Sequence, residues 1–106
     1  MKVGIIISSN DAETVWNAFR FANLALRKGD EAKIFLIGQG VEAETLDMEN
    51  FRINAQIETF INSKGTIHIC GTCLKLRNKD GSEVCQLSTL EDMYEIVAQS
   101  DKILTF

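Results

Sequence analysis

With 106 residues, 45% of them hydrophobic and 25% charged, the chain has the size and composition of one soluble globular domain. It is long enough to bury roughly 60 to 70% of the surface exposed when unfolded, so it needs neither a disulfide nor a metal to fold. A formal net charge of −4 with no lysine or arginine cluster argues against nucleic-acid binding, and no stretch approaches the ~20 apolar residues of a membrane span. The apolar run Val3 to Ile7 is too short for a signal-peptide core, so a cytoplasmic protein without membrane contact is expected.

Lys2 to Ser8 is a near-continuous β-branched run, the pattern of a central strand covered on both faces. Ser8, Ser9, Asn10 and Asp11 are turn and capping residues. From Asp11, apolar residues Val15, Ala18, Phe19, Ala22 and Leu26 recur at helical spacing up to a stop at Lys28-Gly29. Ala32 to Ile37 reads as a second buried strand. The Gly38-Gln39-Gly40 turn after it has the letters of a dinucleotide-binding loop but the wrong place, because that fingerprint belongs to the first βα turn. No cofactor is expected there; Gly38 and Gly40 are read as turn formers at the sheet edge.

Phe51, Ile53, Ile57, Phe60 and Ile61 predict another helix, ending at Lys64-Gly65. Thr66 to Ile69 is a short strand that hands over at Cys70 to a helical turn beginning with Gly71. After the turn Asn78 to Gly81, Glu83 to Leu87 is a short strand or extended loop carrying Cys85. Ser88-Thr89-Leu90-Glu91 reads as a capping box opening a last helix, and Asp101 to Phe106 as a terminal strand.

Strands alternating with helices of this length predict one three-layer α/β domain spanning residues 1–106. It has a mainly parallel sheet of four or five strands and helices on both faces, in a flavodoxin-like arrangement. Helices cover so small a sheet incompletely, which leaves aromatics such as Trp16 or Phe51 for a subunit interface.

The chemically informative stretch is Ile67-His68-Ile69-Cys70-Gly71-Thr72-Cys73. A Cys-x-x-Cys in an α/β chain with three cysteines points to sulfur or redox chemistry. Cys70 falls at the carboxyl end of a strand, where open α/β sheets place ligands, and the first N–H groups of the following helix favour a thiolate there. The competing role for Cys70 is that of a small buried hydrophobe.

The opening Lys-Val-Gly-Ile-Ile-Ile-Ser with the helix bearing Phe19, Phe21 and Ala22, the strand end Ile67 to Cys70 leading to Leu76-Arg77, and the ending Ser100 to Phe106 together resemble the DsrE-like family (DsrE/DsrF/TusD-like sulfur-relay proteins). The resemblance implies a parallel α/β fold, a homo-oligomer of three or six chains, and a cysteine, matched here by Cys70, that takes and passes on persulfide sulfur between a protein donor and a protein acceptor. This chain departs from TusD-like members in carrying Cys73 and in a shorter stretch after Arg77.

Cys73, one turn on, is placed either to resolve a persulfide on Cys70 as a disulfide or to pack against the sheet. A dithiol redox protein using Cys70 and Cys73 stays open, as does a non-catalytic oligomeric module whose crevice binds a small molecule or a protein. A closed zinc site would need Cys85 and His68 beside the pair, and the second Cys-x-x-Cys is missing, so no metal is expected. His68 shares a strand face with Cys70 about 6 to 7 Å away, and either tunes it or is satisfied elsewhere. Lys75 and Arg77 lend positive potential or face solvent. Ser8, Ser9 and Asn10 line the crevice or cap the first helix, and Gly71 leaves room for a partner to approach.

Overall fold

The computed structural model describes all residues, Met1–Phe106. β1, Lys2–Ile7, is an interior strand next to one edge of the sheet rather than its middle strand, and its residues from Val3 on are all buried, as the continuous apolar run requires. β2 (Glu31–Leu36) and β5 (Lys102–Thr105) flank it. β3 (Thr66–Cys70) follows β2, and β4 (Gln86–Ser88) forms the far edge. The order is β4-β3-β2-β1-β5 and every pair is parallel. The domain is thus a three-layer α/β fold with a five-stranded parallel sheet.

Register sorts the side chains into two faces. Gly4, Lys33 and Thr66 are successive partners, as are Ile6, Phe35 and His68. A Cβ at Gly4 would strike Ile96 and Ser100 of the last helical segment, so this row faces α4 (Leu90–Gln99). The opposite row, with Ile5, Ile34 and Ile67, faces α1 (Ala12–Arg27) and α2 (Ile53–Asn62). On that side Phe19 of α1 meets Phe60 of α2 edge to face, centroids 6.1 Å apart, in a fully buried core.

Helix ends follow local chemistry. Asp11 caps α1, its Oδ2 accepting from the Thr14 N–H at 3.0 Å. The capping box of α4 is built one residue later than the sequence suggests, from Thr89 and Asp92, because Ser88 belongs to β4 and gives its hydroxyl to the Gln86 carbonyl. Phe51 precedes α2 and packs on Trp16 at 5.4 Å, with Arg20 stacked over the indole at 4.3 Å. The two aromatics pack on each other, and the four most exposed apolar side chains lie elsewhere: Leu76, Leu87, Leu90 and Tyr94.

The Gly38-Gln39-Gly40 turn opens a 3-10 segment, Gly38–Thr45, that crosses the carboxyl end of the sheet. Gly40 is buried, and a Cβ there would overlap the Ile7 carbonyl oxygen at the end of β1. Gly38 has φ +57 and open space around it. Gly40→Ala is therefore expected to cost about 2 kcal/mol or more of unfolding free energy from overpacking against backbone. Gly38→Ala costs about 1 kcal/mol from its left-handed backbone alone. Denaturant titrations of both variants check this; equal losses would mean that Gly40 does not make the close approach.

Candidate functional site

Right-handed crossovers carry the chain β1–α1–β2–α2–β3 along one face of the sheet, and α3 (Gly71–Leu76) continues on that face against the 3-10 segment. After β4 the chain must return across the sheet to β5, beside β1, which places α4 on the other face. Neighbouring strands β3 and β4 thus send their chains to opposite sides, and a crevice opens between their carboxyl ends. It holds a cleft of about 600 Å³. Cys70, Gly71, Thr72, Cys73 and Lys75 form one wall; Leu87, Ser88, Thr89 and Leu90 form the other, with Ile37 from the end of β2.

Cys70 is the N-cap of α3, and its Sγ accepts the Cys73 N–H at 3.5 Å. It is only 5% exposed. Burial pushes its thiol above the ordinary range, outweighing the opposing N–H groups of Cys73 and Thr72. The thiolate expected at Cys70 is thus corrected: the N–H donors are in place, but desolvation wins. The Cys73 side chain lies next to Cys70 and itself raises the Cys70 thiol further. Cys73 is the half-buried one of the pair, and its Sγ accepts the Gly38 N–H at 3.3 Å.

Arg77 braces this arrangement. Its Nε donates to Glu42 Oε2 at 3.0 Å and its guanidinium to the Cys73 carbonyl at 3.1 Å, tying α3 to the 3-10 segment that carries Gly38. Arg77 holds the Glu42 carboxyl below the usual carboxylate range, with Asn10 adding a weaker hydrogen bond. Of the two cations read from the sequence, Lys75 lines the cleft and Arg77 is paired.

Ser8, Ser9, Asn10 and His68 do not line the cleft, whereas Gly71 does. The Ser8 backbone N–H pairs with the Phe106 carbonyl, Ser9 Oγ accepts the Asp11 N–H, and Asn10 reaches Glu42. His68 Nδ1 lies 3.0 Å from Ser88 Oγ, whose hydrogen goes to the Gln86 carbonyl at 2.8 Å, so Nδ1 is the donor of the pair. Burial lowers the His68 pKa, which keeps the ring neutral near pH 7. Cys85 is buried against Glu44 at 3.4 Å, and burial first, then Glu44, push its thiol up to about 12. The four side chains considered as zinc ligands therefore end on different partners, and no group of three metal-ligating residues converges anywhere in the chain.

Sequence reasoning missed Ile37, Gly38, Leu87, Ser88, Thr89 and Leu90. Gly38 was reachable: parallel strands end at one edge, so the turn after β2 must abut the turn after β3.

His68 is the only histidine, so its ring can be titrated unambiguously by NMR. Its folded-state pKa should lie below the ordinary 6.5, so its contribution to stability is complete above 6.5 and lost as pH falls through the lowered value. The alkylation rate of Cys73 should not follow that titration. A His68 pKa above 6.5, or a Cys73 rate that tracks it, would reinstate the imidazolium as a tuning group.

The sequence model of the DsrE/DsrF-like family matches residues 1–106. The uncharacterized protein MJ0989 of Methanocaldococcus jannaschii is 31% identical over 114 aligned positions that cover 100% of both chains. The uncharacterized protein MK0008 of Methanopyrus kandleri is 32% identical over 100 positions, covering 89% of this chain and 83% of its own. Among solved structures, the ychN protein from E. coli superposes with a TM-score of 0.84 at 20% identity over the whole of both chains. Protein BT1422 from Bacteroides thetaiotaomicron superposes with a TM-score of 0.71 at 17% identity, over 99% of this chain and 94% of its own. At these identities the two structures speak to the fold, which agrees with the three-layer sheet described above. The chain belongs to the DsrE/DsrF-like family, a family generally linked to sulfur relay.

Proposed function

We propose that the protein is an intracellular sulfur carrier in which the Cys70–Cys73 cleft accepts sulfur as a persulfide from one protein and passes it to another. The observation that carries this is the placement of two neighbouring free thiols in one open cleft at the switch point of the sheet. Transfer needs a thiolate to attack the outer sulfur of a donor persulfide, hydrogen-bond donors to hold the charge, and room for the incoming group. The N–H groups of Gly38 and Cys73 supply the donors and the cleft supplies the room. Leu87 and Leu90, 68% and 65% exposed, rim the opening and give a protein partner an apolar surface beside the thiols. We further propose that copies assemble as a trimer or hexamer, using part of the exposed apolar surface that also includes Leu76 and Tyr94.

Intact mass after incubation with a persulfide donor tests the chemistry. The wild-type protein should take up sulfur, seen as a reductant-labile gain of about 32 Da or as its disulfide product. The double variant Cys70→Ser/Cys73→Ser should take up none despite keeping Cys85. A double variant that labels like wild type, or a wild type inert to donor excess, would leave the family fold with a non-catalytic binding role. Light scattering on the purified protein reads the assembly: a mass of one chain at micromolar concentration would sink the oligomer.

A further inference from the structure

We propose that the two thiols act in a fixed order, with Cys73 as the entry nucleophile and the sheltered Cys70 as the closing thiol, so that the protein also releases hydrogen sulfide from persulfides. This order rests on the sulfur-carrier function proposed above and extends it from carrying to reduction. In the common dithiol arrangement at a helix start, the first cysteine is the exposed one. Here the positions are inverted. Cys70 is the 5% exposed N-cap, and Cys73 is the half-buried thiol held by the Gly38 N–H at 3.3 Å beside the cleft opening. Both thiols line the cleft, and the less buried Cys73 is the one more open to an incoming donor.

In the first step the Cys73 thiolate attacks the outer sulfur of a persulfide R–S–SH. The Cys73–sulfur bond forms, the donor S–S bond breaks, and R–S⁻ leaves to be protonated. In the second, the Cys70 sulfur attacks Sγ of Cys73. The Cys70–Cys73 bond forms, the bond to the outer sulfur breaks, and that sulfur leaves through the cleft with the proton of Cys70 as hydrogen sulfide. Overall, R–S–SH and the dithiol give R–SH, hydrogen sulfide and the protein disulfide. The transferred sulfur is reduced by two electrons and the two thiols are oxidised by two. Residues three apart at a helix start lie about 5 Å from each other, within the span that a disulfide bridges. The Cys73 N–H on Cys70 Sγ holds that sulfur beside its target. A small or protein dithiol restores the pair by exchange, so turnover needs a dithiol reductant.

The test uses the reduced full chain and free cysteine persulfide without other reductant. The readouts are intact mass and sulfide released above a protein-free control. Wild type should lose about 2 Da and release about one equivalent of sulfide, while Cys70→Ala should gain about 32 Da and release none. Cys73→Ala should consume donor at least about ten-fold more slowly than wild type. Cys70→Ser provides a second form of the buried site, and both forms are compared by thermal melting. A Cys73→Ala protein that gains sulfur as fast as wild type consumes donor would overturn the order of entry. A wild type that stops at the gain of about 32 Da without sulfide would overturn the closing step, and both results would leave the carrier function standing. No sulfur on any variant and no disulfide in wild type would remove the carrier function itself, and this order with it.

Discussion

Right-handed crossover is the constraint from which the cleft follows. A parallel sheet can be extended strand by strand in one direction only while every connecting helix lies on the same face. This chain does so from β1 to β4 and then places β5 not beyond β4 but against the free edge of β1. The return forces α4 across the opposite face and separates the polypeptide at the carboxyl ends of β3 and β4. Cys70 ends β3 and Ser88 ends β4, paired in register. The cysteines therefore sit at the one point where the topology leaves a crevice beside a helix start.

Within the cleft the two thiols have different surroundings, and at Cys70 desolvation and hydrogen bonding compete. Cys70 receives N–H groups from its own helix but is buried, 5% exposed, as a member of the hydrophobic core. The net direction is toward the protonated thiol. Cys73 stands at the edge of that core and receives an N–H from outside its helix, from Gly38. A donor from another segment is aimed independently of α3, so the environment of Cys73 depends on how the 3-10 segment is seated. Two contacts seat it: Gly40 lies flat against the end of β1, and the Glu42–Arg77 ion pair locks it to α3. A partly exposed ion pair adds little stability alone, but one whose arginine also donates to the Cys73 carbonyl restricts the geometry in which the thiol is presented.

The sequence made the element order and the strand-to-helix corner at Cys70 legible, because buried parallel strands and amphipathic helices carry unmistakable periods. Side-chain alternation also placed His68 on the Cys70 face, which register confirms. It could not show that β4 would pair beside β3 and offer Ser88 to the imidazole, since a three-residue edge strand carries almost no pattern. The displaced capping box has the same origin. Ser88 and Thr89 are equally good caps, and the pairing of β4 decides between them by claiming Ser88. Ser8, Ser9 and Asn10 end β1 at the correct edge of the sheet but lie beside α1, two strands from the switch point. The burial of Cys70 likewise follows from its place in the hydrophobic core, and tertiary packing of that kind leaves no local signature.

The Gly38-Gln39-Gly40 turn shows how a motif can be misplaced and still matter. Its glycines would serve a pyrophosphate by letting backbone approach closely and by turning N–H groups outward. Here the same two capacities act on the protein itself. Gly40 accepts the close approach of the Ile7 carbonyl, and Gly38, in the left-handed region, turns its N–H toward a sulfur. A thiolate and a phosphate oxygen are both anions that favour backbone donors. The turn after β2 thus presents a backbone donor, and the neighbouring helix brings the Cys73 sulfur to it. In that sense the glycine turn and the cysteine pair form one site, assembled from two adjacent βα corners of a parallel sheet.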